Sequence, residues 1–227
     1  MNNKLKLLYA GLILLAIFTL WPKNEEQKPA SIHVWNAHID DNGHLNVLGV
    51  VLGQSNLKQA ETALHSQSER ALFVEVKNGN IEKDTIEAFF PTSPDRAKII
   101  LELDASDELM ERIKERAYKP MAFPSGNVKL EIAPEQTAEI EALVAKSLTY
   151  IPSVSLDPAH VEEQFGKPFD QLTDIDNNLH MLYPALGLDA VIQTKDKKAL
   201  LQFVPPNEYH RLLKLIKVAL PATKDNQ

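Results

Sequence analysis

Three histidines, His33, His38 and His44, crowd one short stretch with Asp40 and Asp41. Imidazole and carboxylate are ligands for zinc or copper, which need several such groups converging at about 2 Å. The surrounding pattern works against convergence. Trp35, Ala37 and Ile39 alternate with polar neighbours, as do Leu45 and Val47, and on a strand His33 and His38 then point to opposite faces. His180-Met181 has the composition of a soft copper pair, but neighbours on a strand also diverge. Ser55 sits in Gly53-Gln54-Ser55-Asn56, which is not the Gly-x-Ser-x-Gly nucleophile elbow, and a helix cap accounts for it. Asp104 with Asp107, or Asp174 with Asp176, could work as acid and base, yet carboxylates are ordinary at helix starts and turns. No phosphate loop, dinucleotide fingerprint or H-E-x-x-H is present. No catalytic, cofactor-binding or metal-ligating residue is assigned on this basis, and no cofactor is expected.

The segment that decides where such chemistry would take place is the apolar run Leu5 to Trp21. It spans about 17 residues without a charge beyond Lys6, the short end of what crosses a bilayer as a helix. Lys4 and Lys6 precede it, while Lys23 on the far side is diluted by Glu25 and Glu26. The positive-inside bias puts the N-terminus in the cytoplasm and the remainder outside. A cleaved signal shares the basic start but usually ends in small residues. Here Ala16 is followed by Ile17, Phe18, Thr19, Leu20, Trp21 and Pro22. A lipoprotein is excluded by the absence of cysteine.

Lys4 and Lys6 are two of the 24 basic residues, so from Lys23 onward 22 stand against 31 acidic ones, a net charge of −9. That balance makes nucleic acid or an anionic membrane surface a poor partner. Zero cysteines mean no disulfide framework. Together with the missing Asn-x-Ser/Thr sequon, this points to a bacterial envelope protein: inner membrane, single-pass, with a periplasmic or extracellular C-terminal region.

Residues 23–30 read as a spacer off the membrane. Asp41-Asn42-Gly43 makes a three-residue hairpin loop with Gly43 left-handed, setting Ile39 against Leu45. Ser55 caps a helix buried through Leu57, Ala60 and Leu64. Strands are expected over 71–77, 85–90 and 97–103, then a helix capped by Ser106 with Leu109, Ile113 and Ala117 inward. The stretch from Lys119 to Gly126 holds two prolines and a glycine and marks the boundary between a first unit, 31–120, and a second, 127–227. The second opens with a strand at Val128, Leu130 and Ile132 and a helix from Pro134 carrying Ile140, Leu143 and Val144. An extended stretch, 148–154, follows, then a helix capped by Asp157 and ended by Gly166. Strands come next at 179–183, 188–194 and 199–204, before a last helix through Tyr209, Leu212, Leu213 and Ile216.

The halves thus share an order: lead-in, helix, three strands, helix. Leu101, Leu103, Asp107, Glu108, Leu109 and Ile113 align at a spacing of 100 with Leu201, Phe203, Asn207, Glu208, Tyr209 and Leu213. The stretch from Val154 to Pro168, a capped helix ending in Phe165-Gly166-Lys167-Pro168, resembles the outer-membrane assembly lipoproteins of the SmpA/BamE kind. Their layout is shared with the β-lactamase inhibitor protein, a tandem of such units. Gly53 to Leu64 is similar, but His65-Ser66 replaces the glycine and the lipobox cysteine is missing. The resemblance implies a role in binding other proteins at the envelope, and carries no functional residue.

The expected fold is therefore α+β: an N-terminal transmembrane helix, residues 1–22, followed by two similar units of helix plus antiparallel sheet. The expected function is non-enzymatic, a membrane-tethered adaptor or assembly factor whose partners are envelope proteins. An inhibitor or ligand-sensing module and a motif-less hydrolase or metal enzyme are the alternatives. Strands 188–194 and 199–204 are expected to expose alternate residues on an open sheet face.

Overall fold

A computed structural model describes residues 33–77, 80–91, 96–123, 127–193 and 198–219. Residues 33–227 form one compact unit. The anchor expected at 1–22 and the spacer at 23–30 lie outside the described residues. Among the described residues, no helix is long and apolar enough to cross a membrane.

The hairpin behaves as its loop chemistry demands. Strand β1 (His38–Ile39) pairs with β2 (Leu45–Val47), Ile39 opposite Leu45, and Gly43 has φ +84°. β2 continues into β3 (Val50–Val51), and these three strands form a small sheet. Leu45, Val47 and Val50 are fully buried, while Ile39 stays exposed. Helix α1 (Leu57–Ala63) follows, capped by Asn56 in a reciprocal box with Gln59. Ser55, the expected cap, instead accepts from the Val51 amide at 3.0 Å.

The large sheet is built from β4 (Glu69–Lys77), β5 (Asn80–Phe90), β6 (Lys98–Asp104), β7 (Tyr118–Ala122), β8 (Asn127–Glu131), β9 (Val144–Ile151), β10 (Asp170–Thr173), β11 (Leu179–Tyr183), β12 (Leu188–Ile192) and β13 (Ala199–Phe203). Their spatial order is β10-β11-β12-β13-β9-β6-β5-β4-β8-β7, and every pairing is antiparallel. Pro120 lies in edge strand β7, where a missing amide costs no ladder bond. The remaining α-helices among the described residues are α2 (Asp107–Arg116), the short α3 (Thr137–Glu141), α4 (Pro158–Phe165) and α5 (His210–Ala219), with four 3-10 turns between elements.

This overturns the expected α+β fold of two similar units, each with its own sheet behind a membrane helix. The described chain is mostly β, with one continuous ten-stranded sheet. The cause is β9, whose first residues pass for the end of a helix in the sequence. It pairs on one edge with β6 and on the other with β13. The rows Leu101–Leu148–Phe203 and Ile99–Tyr150–Leu201 cross that seam and are buried throughout. Cross-strand apolar neighbours of this kind stabilise a sheet, and here they weld the halves together.

The two halves share the pairing order of their three strands, β4-β5-β6 and β11-β12-β13. β6 and β13 both run antiparallel to β9, and β4-β5-β6 and β11-β12-β13 extend from it in opposite directions. Laying one three-strand set on the other therefore needs a half-turn about the strand axis, which exchanges the faces of the sheet. Equivalent helices would then lie on opposite faces. Of the two helix pairs, α2 (through Ile113) and α5 (through Leu212 and Ile216) do so, whereas α1, through Leu57 and Ala60, and α4, through Val161, enter the same core.

That core occupies one face. Ala88, Leu101, Leu148, Phe203 and Leu188 point into it. Arg70 fastens its helices, with Nη2 lying 3.0 Å from both Glu61 of α1 and Glu141 of α3. Burial acts to raise the Glu61 pKa, but hydrogen bonds from Ser68 and Arg70 hold it below the ordinary value. We expect Arg70→Ala to cost roughly 2 kcal/mol, less than for a fully buried pair because Ser68 still serves Glu61. A carboxyl with a depressed pKa gives stability that is present at neutral pH and lost as pH falls through its folded value. The gap between wild type and variant in urea denaturation should therefore close on acidification.

Candidate binding face

The other face of the sheet is covered over only part of its width. Side chains alternate along β6, buried at Ile99, Leu101 and Leu103 and half-buried at Ile100 and Glu102. On the β11-β12-β13 side the second face is sealed by α5. Leu182 there packs with Val204, Tyr209, Leu212 and Ile216. The Tyr209 hydroxyl donates to the Leu188 carbonyl at 3.2 Å, and burial pushes its pKa up. β12 is buried at all five positions, so the open face expected on strand 188–194 is corrected over 188–192, where α5 occupies it; on β13, Leu200 and Gln202 stay half-buried. The amphipathic pattern of α5 was legible, but which side of the sheet it would take was not.

Beyond the edge of α5 the same face is bare among the described residues. Gln202, Thr149, Ile100, Phe89 and Glu69 form one row across β13, β9, β6, β5 and β4. Thr85, Phe73, Lys129 and Met121 form another across β5, β4, β8 and β7. Phe73 and Phe89 are half-buried and belong to neither hydrophobic core. Their ring centroids are 5.5 Å apart, and Phe123 stacks on Phe73 at 6.4 Å. The Lys129 ammonium lies 5.7 Å from the Phe89 ring. Met121 is 59% exposed and Phe123 39%. Phe73 and Phe89 fall inside expected strands. Their shared face is fixed by the β4–β5 register, which the sequence does not state.

Charge on this face is uneven. Glu87 stands directly opposite Glu102. Glu102 accepts from Arg211 Nη2 at 3.3 Å and from the Ser147 hydroxyl at 3.3 Å, with Lys146 Nζ at 3.6 Å. Glu87 accepts from the Thr85 hydroxyl at 3.3 Å and has Lys83 only as a longer-range counter-charge. Burial, reinforced by the charge on Glu102, pushes the Glu87 pKa up.

Under the covered half lies a polar cluster that sequence reading met only in pieces. His180 Nδ1 is 2.8 Å from Asp189 Oδ2, and His180 Nε2 is 3.6 Å from Asp174 Oδ2. Asp189 is fully buried, and burial raises its pKa. Burial acts to lower the His180 pKa, but the two carboxylates outweigh it and the net shift is upward. Asp174 takes amide hydrogen bonds from Asp176 and Asn178, so the pair Asp174 and Asp176 is a turn. His180 and Asp174 were met in the sequence but Asp189 was not, although an acid inside the apolar run Leu188 to Ile192 is the signal that marks it.

The remaining sequence candidates are dispersed. His38 bonds the Asn36 carbonyl, and His44 lies 3.7 Å from Asp40. His33 is exposed, and among the described residues no group of three or more histidines and acids is arranged to hold a metal. Met181 enters the core, away from its neighbour His180. Asp104 pairs with Lys146, and Asp107 lies in the first turn of α2 behind the Ser106 cap.

No family model matches the chain, and no curated protein matches it. Among solved structures, a DUF4309 family protein (YjgB) from Bacillus subtilis subsp. subtilis str. 168 is similar to 72% of this chain and 88% of its own, at 8% identity and a TM-score of 0.35.

Proposed function

We propose that the protein is a non-enzymatic protein-binding module of the bacterial envelope, tethered by its apolar run Leu5 to Trp21, and that the bare half of its sheet docks an envelope protein. The observation that supports this is the contrast across one face. Where α5 lies, apolar side chains are sealed; on β4, β5, β7 and β8 the cluster Phe73, Phe89, Phe123 and Met121 faces outward. Aromatic and methionine side chains are the kind that anchor interfaces.

Charge narrows the partner. Glu87 makes no ion pair among the described residues and feels only a longer-range attraction to Lys83, so an apolar surface carrying a lysine or arginine opposite Glu87 fits best. A docked cation would favour the ionised form of Glu87, and the interface should bury on the order of 1,200 Å² or more. Affinity capture from solubilised membranes tests the reading. A discrete envelope protein should co-purify with the full chain and be lost with Phe73→Asp and Phe89→Asp, with thermal unfolding unchanged. Capture that survives both substitutions would contradict it.

A further inference from the structure

A second site lies where α5 meets the open face. A cleft of about 520 Å³ is bounded by β5, β6, β9, β13 and α5. Four of its lining residues are cations, Lys83, Lys146, Arg211 and Lys214, against one acid, Glu102. This reverses the balance of a chain whose net charge is −7.

The four cations are not equivalent. Lys146 and Arg211 both serve Glu102, and each has a further carboxylate, Asp104 and Glu208 respectively. Lys83 and Lys214 make no ion pair within 4.0 Å among the described residues, Lys83 being drawn only at longer range to Glu87. Ser147, Thr149 and Gln202 supply neutral hydrogen-bonding groups, and Leu212 with the 62% exposed Leu215 gives an apolar wall. Ligand sites commonly combine such a wall with a few polar groups that fix orientation.

We propose that this cleft binds a small organic anion, a phosphoryl or carboxylate group on an apolar body. The anionic group lies between Lys83 and Lys214, and the body rests against Leu212 and Leu215. Glu102 acts against the ligand by occupying Arg211 and Lys146. Charge-assisted hydrogen bonds hold the anion, and each is worth more than a neutral one. The site adjoins the aromatic cluster on β4, β5 and β7 but shares none of its side chains.

Calorimetric titration of the full chain in a non-ionic detergent, with phenyl phosphate as probe, tests this. Benzyl alcohol and inorganic phosphate separate the apolar and anionic contributions. Phenyl phosphate should bind saturably in the millimolar range or tighter, inorganic phosphate more weakly, and benzyl alcohol not at all. Lys83→Ala with Lys214→Ala should weaken it roughly tenfold or more, the loss expected from one or more charged hydrogen bonds. Both lysines are exposed, so the fold should be unaffected. Glu102→Gln should tighten binding by freeing Arg211 and Lys146. No saturable binding, or affinity indifferent to both the double variant and Glu102→Gln, would overturn the proposal.

Discussion

Replacing His180 with alanine is expected to lower the free energy of unfolding by about 3–5 kcal/mol, the usual loss when one partner of a buried pair is removed. Asp189 is fully buried, and His180 Nδ1 at 2.8 Å is its hydrogen-bonding partner. The cost is that of a carboxylate left in an apolar strand without a counter-charge. His180→Leu combined with Asp189→Leu should be much milder, because both polar groups then leave together. pH adds a second readout. The folded-state pKa of His180 is raised, so its contribution is full below the unfolded value and is lost as pH rises through the folded one. Asp189 is also raised. A raised carboxyl likewise loses stability as pH climbs from the unfolded value of 3.8 towards the folded one. Urea midpoints of wild type should therefore decline above a pH of about 6.5, and His180→Ala should lack that decline. An unchanged midpoint would mean the pair contributes nothing to the fold.

Gly187→Ala is the second large effect. Gly187 has φ +67°, and a Cβ there would lie 2.0 Å from the Val204 carbonyl oxygen. That oxygen belongs to rigid backbone, since the Val204 amide donates to the Gly187 carbonyl at 2.9 Å. Relief requires the β11–β12 turn to move away from Val204, which is itself in the cluster beneath α5. We expect a loss of about 3 kcal/mol or more, within the range for strain at a special backbone position combined with overpacking. Gly43→Ala is the control. It too has positive φ, +84°, but nothing within 4 Å of the added Cβ, so about 1–2 kcal/mol of backbone strain is all it should cost. Thermal unfolding of the two variants side by side separates strain from collision.

The difference between these glycines marks what a sequence can and cannot say. Gly43 was legible because its role is local: three turn residues between two alternating runs specify the register. The caps at Ser106 and Asp157 and the stop at Gly166 were legible for the same reason. Gly187 was invisible, because its constraint comes from Val204, 17 positions away. Order along the chain was readable in the first half, α1 then β4, β5 and β6 then α2, while in the second half strand β10, between α4 and β11, was missed. The way β9 joins the halves was not readable, since its pairing with β6 and β13 depends on neighbours about 45 and 55 residues distant. Phe73, Phe89 and Phe123 each look like ordinary strand or loop residues. Only the registers of β4 with β5 and β8 place them together on a face that α5 does not reach.

Site-specific photo-crosslinking in cells is the most direct test of the bare face as a docking surface. A benzophenone side chain would replace Phe89 on that face, and separately Glu163 on the outer side of α4, which is 74% exposed at its side chain. A discrete adduct to one envelope protein from position 89, absent from position 163 and removed by Glu87→Arg, is the expected result. No adduct at position 89, or the same adduct from both positions, would contradict it.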